Sequence, residues 1–323
     1  MSSNSPNVQG SRLGGRIAIV GAGAIGLYYG SRLAANGEDV HFLLRGDYEA
    51  VSSGGIQVES VDGDMHLNEV NAHRSSSEIG KVDWVIITWK ATSNDLFREV
   101  LDPLVGPHTR ILTLQNGLGN CELLASLYGP ERILGGLCFV CINRVGHGQV
   151  SHTAGGKITV GEWQPEPGLR RANLVVTAFK NADIPAALAD DLRQAQWRKL
   201  VWNVPFNGLA IAEGGVTTDV LLENLETEKE IATLMGEVIS GAAGFGLEID
   251  QHVIEMELER TRPMGAYRPS SMIDYVEGRP VEYDAIWAEP IRQANEAGVP
   301  VPHMEELASR IRRRLEERES DAD

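Results

Sequence analysis

Arg16-Ile17-Ala18-Ile19-Val20-Gly21-Ala22-Gly23-Ala24-Ile25-Gly26 is the stretch whose reading decides the fold. Ile17 to Val20 form a short apolar run of the kind buried on both faces of a parallel sheet. Three glycines follow at once, in the pattern G-x-G-x-x-G, and an apolar helical pattern opens on them. Each glycine answers a separate demand. Gly21 allows the tight turn, Gly23 lets the backbone approach a pyrophosphate, and Gly26 permits close helix–strand packing. The helix start then offers N–H groups and a partial positive charge to phosphates. Gly21, Ala22, Gly23, Ala24, Ile25 and Gly26 are accordingly predicted to cradle a dinucleotide. A bare turn is the alternative, and the strand–turn–helix context argues against it.

The same texture continues outward. A helix from Ala24 ends at Asn36-Gly37, and Val40–Leu44, Asp83–Thr88 and Arg110–Leu114 read as further buried strands alternating with helices. That alternation predicts a parallel sheet covered on both faces. Between Ile133 and Gly161 glycine-punctuated strands suggest antiparallel pairs at the sheet edge. Beyond Asp190 the strands give way to helical patterns over Asp191–Ile211, Leu225–Phe245, His252–Arg260, Tyr283–Ala297 and Pro302–Glu317. The expected fold is an α/β N-terminal Rossmann-type domain plus an all-α C-terminal domain. Residues 1–15 read as a disordered leader and not a secretory signal. Residues 16–188 form the dinucleotide-binding domain, 189–318 the helical substrate and catalytic domain, and 319–323 a frayed tail.

Composition narrows the class. The 323 residues are 42% apolar and 23% charged, with a formal net charge of −16. No apolar run approaches the ~18–20 residues of a membrane span, and the negative charge disfavours nucleic acid and anionic membrane. A cytoplasmic protein with a small-molecule substrate is expected, and a homodimer is left open. Cys138 and Cys141 stand three apart in a strand pattern, hence on opposite faces. They read as reduced, buried residues, not a metal or redox pair. His147 and His152 lack a matching carboxylate or thiol set, so no metal site is predicted.

Cofactor choice turns on the end of the second strand. Arg45 follows Leu43-Leu44 there, and a guanidinium suits a 2′-phosphate better than a neutral ribose diol. NADP(H) is the expected cofactor, while Asp47 two residues on keeps NAD(H) open. Lys90 and Asn116 also follow strands, where open α/β sheets bind ligands. In the helical half, Lys199, Asn203 and Asn207 recur every four residues along an apolar helix and therefore share one face. A buried ammonium and two amides need partners, either one another or a polar ligand. Pro205 is expected to kink that helix.

Taken together, the glycine turn, Lys90, Gln115-Asn116-Gly117, Trp197-Arg198-Lys199 with Asn203, Ser270-Ser271-Met272 and Glu277-Gly278-Arg279-Pro280-Val281-Glu282 resemble the ketopantoate reductase (2-dehydropantoate 2-reductase) family over roughly Arg16 to Glu306. The resemblance implies NADPH-dependent reduction of a 2-oxo acid to its 2-hydroxy acid in pantothenate biosynthesis, with catalysis in the cleft between domains. It makes Lys199 the general acid and Glu282 the carboxylate that binds the substrate hydroxyl. It makes Asn203, Asn207 and Ser271 substrate-site residues, and places Arg45, Lys90 and Asn116 on the cofactor. Two departures stand out: Thr217 where some relatives have a substrate-site asparagine, and Ser93 where some have glutamine. The alternatives are a 2-hydroxyacid dehydrogenase of the same family for another branched 2-oxo acid and, more remotely, a non-catalytic dinucleotide-binding sensor.

Overall fold

In the computed structural model, which describes residues 12–166 and 171–322, the apolar runs of the first half lie side by side as strands. The order is β1 (Arg16–Val20), α1 (Ala24–Ala35), β2 (Asp39–Leu43), α2 (Tyr48–Gly54), β3 (Ile56–Ser60), β4 (Met65–Leu67), β5 (Asn71–His73), α3 (Ser76–Ile79), β6 (Val82–Ile87), α4 (Phe97–Leu101), β7 (Val105–Thr113), α5 (Asn120–Tyr128), β8 (Ile133–Gly146), β9 (Gln149–Glu162), α6 (Arg171–Asn181) and β10 (Ala186–Leu188). The strands run β4-β3-β9-β8-β7-β6-β1-β2-β5 across one sheet. From β8 to β5 every neighbour is parallel, so the carboxyl ends of β1, β2, β5, β6 and β7 face one way. Ile17, Ile19, Trp84 and Ile86 are buried to 1% or less, which is why these runs read as continuously apolar.

The β8–β9 hairpin is antiparallel as expected, but it is not an edge. β3 pairs with β9 at Gln57–Ser60 and β10 pairs with it at Ala186–Leu188, both in parallel. β10 follows β9 through α6 as a parallel crossover, whereas β3 comes from a segment about ninety residues earlier, which local patterning does not connect.

Two terminal expectations also change. Residues 1–11 lie outside the described residues, but the leader gives way before Gly15. Leu13 is buried in the sheet core, and its N–H donates to Glu38 Oε1 at 2.9 Å. At the other end, the tail placed at 319–323 continues the last helix as far as Ala322. Arg318 Nη1 donates to the carbonyls of Tyr275 (3.0 Å) and Arg279 (3.2 Å), which ties down that last part of the helix.

The second half is α7 (Leu192–Ala212), α8 (Thr218–Glu223), α9 (Leu225–Ala243), α10 (His252–Thr261), α11 (Ser270–Val276), α12 (Glu289–Glu296) and α13 (Pro302–Ala322). Its core gathers Trp197, Phe206, Met235, Trp287 and Met304, each buried to 1% or less, with their neighbours. α7 continues through Pro205 as one helix. The α12 pattern begins with a wider π-type turn at Asp284–Ala288. By its contacts the chain separates into two units, one comprising the described residues up to Gln115 with those of Cys121–Leu192, the other Asn116–Asn120 with the described residues from Arg193. Among the described residues no helix is long and apolar enough to cross a membrane.

Candidate active site

The glycine turn of the first unit is fixed from both sides. Gly21 has φ +92°, and a Cβ there would stand 2.4 Å from the backbone nitrogen of Trp89. At Gly26 a Cβ would meet Thr88 Oγ1 at 2.5 Å, so the α1 start lies against the end of β6. Thr88 itself donates its hydroxyl to the Gly21 carbonyl at 2.6 Å, and its N–H to the Val20 carbonyl at 2.8 Å. Thr88 escaped sequence reading, because one threonine after a strand carries no pattern.

Gly23 differs from the other two. Its φ is −83°, and the nearest atom to a Cβ there would be the Gly21 carbonyl oxygen at 3.9 Å. Neither backbone strain nor a protein neighbour demands glycine at this position. The space kept clear at the N-terminus of α1 fits a phosphate group approaching the backbone, as a dinucleotide would require.

Arg45 lies exposed just past β2. Asp47, the acidic alternative for a ribose diol, is 3% exposed and already engaged. Arg144 Nη2 stands 3.1 Å from Asp47 Oδ1, and His147 Nδ1 lies 2.5 Å from the same oxygen. Lys90, partly buried, heads a 3-10 turn at Ala91–Leu96 after β6. In the same turn Asn94 accepts from Gln115 Nε2 at 2.7 Å, and Gln115 Oε1 takes the Thr113 hydroxyl at 2.8 Å. Gln115 thus orders the chain before Asn116.

In the second unit, Lys199 Nζ donates to Asn116 Oδ1 at 2.7 Å. Asn116, expected on the cofactor side, accepts this bond from the lysine. The local reason lies in backbone chemistry. The N–H of Glu289 reaches back to the Asp284 carbonyl across the π-type turn, and Pro290 has no N–H to offer Ala285 in the same register. The Ala285 carbonyl accepts the N–H of Leu118 instead, at 2.9 Å. Gly117, at φ +82°, passes so close that a Cβ would lie 2.2 Å from that carbonyl oxygen. This anchor fixes the chain one residue from the amide that holds the lysine.

The polar stripe of α7 divides. Asn203 is 9% exposed and Asn207 only 1%. Asn207 Oδ1 accepts the Ser271 N–H at 2.9 Å, while its Nδ2 donates to the Asn203 carbonyl at 3.1 Å. Both ends of this amide are engaged by backbone, which offsets the cost of burying it. Asn207, expected at the substrate, thus holds the start of α11 through the Ser271 N–H. Ser271 is 1% exposed and Glu282, just ahead of the π-type turn, is 6% exposed. Thr217 donates its hydroxyl to Asp219, which holds that carboxyl below its ordinary range. Among the described residues no group of three or more His, Cys, Asp or Glu is placed to hold a metal ion.

The family model described as "Ketopantoate reductase PanE/ApbA" matches residues 17–165, and its C-terminal companion matches residues 191–315. This chain belongs to the ketopantoate reductase family. A 2-dehydropantoate 2-reductase from Nostoc sp. is 41% identical over 90% of this chain and 92% of its own. The crystal structure of 2-dehydropantoate 2-reductase from Geobacter metallireducens superposes with a TM-score of 0.90 at 44% identity, covering 92% of this chain and 99% of that one. The enzyme of that name from Methylococcus capsulatus gives 0.84 at 29% identity, covering 91% and 94%. The ketopantoate reductase fold and its oxidoreductase class therefore extend over both units.

Proposed function

We propose that this chain reduces 2-dehydropantoate to pantoate with NADPH and that Lys199 is the general acid. The observation that carries this reading is the Lys199 ammonium held by the Asn116 amide at 2.7 Å. An ammonium so oriented hydrogen-bonds a ketone oxygen, stabilises the negative charge that develops there, and delivers its proton to form the hydroxyl. The Gly21–Gly26 turn would hold NADPH, which would supply the hydride for C2. Asn203 and Ser271 hold the substrate, Ser271 being set by Asn207, and Glu282 accepts the substrate's far hydroxyl. Lys90 neutralises cofactor phosphate.

The phosphorylated cofactor is favoured because Arg45 is exposed at the end of β2 while Asp47 is occupied by Arg144 and His147. Arg45→Ala is expected to weaken NADPH binding by ~1.5–3 kcal/mol and leave NADH nearly unaffected, as loss of a charge-assisted contact requires. Titration calorimetry with both nucleotides tests this, and equal losses would refute the assignment. A second reading, reduction of another branched 2-oxo acid, draws on Thr217, whose hydroxyl is committed to Asp219.

A further inference from the structure

Arg45 is not alone at the ribose end of the turn. β1 and β2 are parallel neighbours, so a dinucleotide with its pyrophosphate on Gly21–Gly26 extends its adenosine ribose over the carboxyl end of β2. The next strand outward is β5, parallel to β2, with His73 opposite Leu43 and the Leu44 N–H donating to the His73 carbonyl at 2.9 Å. Arg74 is the first residue beyond β5, and Arg45 stands two residues beyond β2. The Arg74 guanidinium lies 4.0 Å from the centroid of the Tyr48 ring, and the Tyr48 N–H closes a turn on the Arg45 carbonyl at 3.3 Å. The Arg74 side chain thus lies on the turn that Arg45 opens.

We propose that Arg74 is the second arginine of a 2′-phosphate site and sets, with Arg45, the preference for the phosphorylated dinucleotide. This rests on the NADPH reading above. The groups around Arg74 fit the role. Stacking on Tyr48 fixes the plane of the guanidinium, so less freedom is lost when it forks onto a phosphate. Its carboxylate partner is Glu49, in an ion pair whose side chains are 54% and 81% exposed. Exposed pairs of this kind are weak and screened by salt, and a phosphate dianion competes well for the same fork. Glu78 is turned to the backbone, accepting the Arg74 N–H at 2.9 Å. Burial and the neighbouring His41 hold His73 below the ordinary histidine range, so the positive charge here comes from the arginines.

The test is calorimetric binding of 2′,5′-ADP and 5′-ADP to the full chain, wild type against Arg74→Gln and Arg45→Gln. Wild type should prefer 2′,5′-ADP. Arg74→Gln should lower that affinity by about 10-fold, the loss of one charge-assisted contact to phosphate. Affinity for 5′-ADP should stay within about twofold, as for an exposed substitution. Unchanged 2′,5′-ADP binding in Arg74→Gln, alongside a loss in Arg45→Gln, overturns the role of Arg74 and leaves the NADPH reading standing. Equal losses of both nucleotides in Arg74→Gln overturn it too. A wild type that does not distinguish the two overturns both.

Discussion

Lys199→Ala is expected to lower kcat by roughly 10²–10⁴-fold, the usual worth of a positioned general acid. The expectation follows from an ammonium that donates to the Asn116 amide at 2.7 Å, on the helix face it shares with Asn203 and Asn207. NADPH affinity should hardly move, because the glycine turn belongs to the other unit and is fixed by Thr88. Steady-state turnover and a nucleotide titration on the same preparation separate the two effects. A variant retaining most of the wild-type kcat would show that the proton comes from another group.

Glu282→Ala is expected to collapse substrate preference. 2-Dehydropantoate carries a hydroxyl two carbons beyond its ketone, and 2-oxoisovalerate lacks it. A buried carboxylate that accepts this hydroxyl is left without that bond by the wrong substrate. Sites built this way reject the analogue by up to ~10⁴–10⁵-fold, and water access reduces the figure. Glu282 is 6% exposed, so its carboxylate is largely desolvated. Wild-type kcat/KM for 2-dehydropantoate should exceed that for 2-oxoisovalerate by at least ~100-fold, and Glu282→Ala should lose the margin mainly through the former. A wild type preferring 2-oxoisovalerate would remove 2-dehydropantoate as the substrate and leave 2-oxo acid reduction intact.

What was legible in the sequence and what was not have the same physical origin. The parallel sheet, the glycine turn and the i, i+4 stripe of α7 are local patterns, each written in consecutive or regularly spaced residues. The joining of β3 to β9 depends on pairing between distant segments, so the hairpin between Ile133 and Gly161 read as an edge. Ordering of Leu13 through Glu38 is a long-range contact of the same kind. At the site, residue types were visible but their partners were not. Asn116 follows a strand, as a cofactor residue would, and only the proline-interrupted π-type turn at Asp284–Ala288 explains how its segment is anchored near Lys199. Asn207 shares a face with Lys199 and Asn203, yet it answers the backbone of Ser271, an acceptor–donor match no spacing rule records. Pro290 was the available signal, since a proline inside a continuous helical run leaves an earlier carbonyl of that run to be satisfied elsewhere.

The central claim is that this chain moves a hydride from NADPH to C2 of 2-dehydropantoate. The most direct measurement follows NADPH oxidation by the wild-type chain with 2-dehydropantoate and quantifies the product by mass spectrometry. The account predicts one pantoate formed for each NADPH consumed. Steady NADPH consumption with a different 2-oxo acid, and none with 2-dehydropantoate, would contradict it.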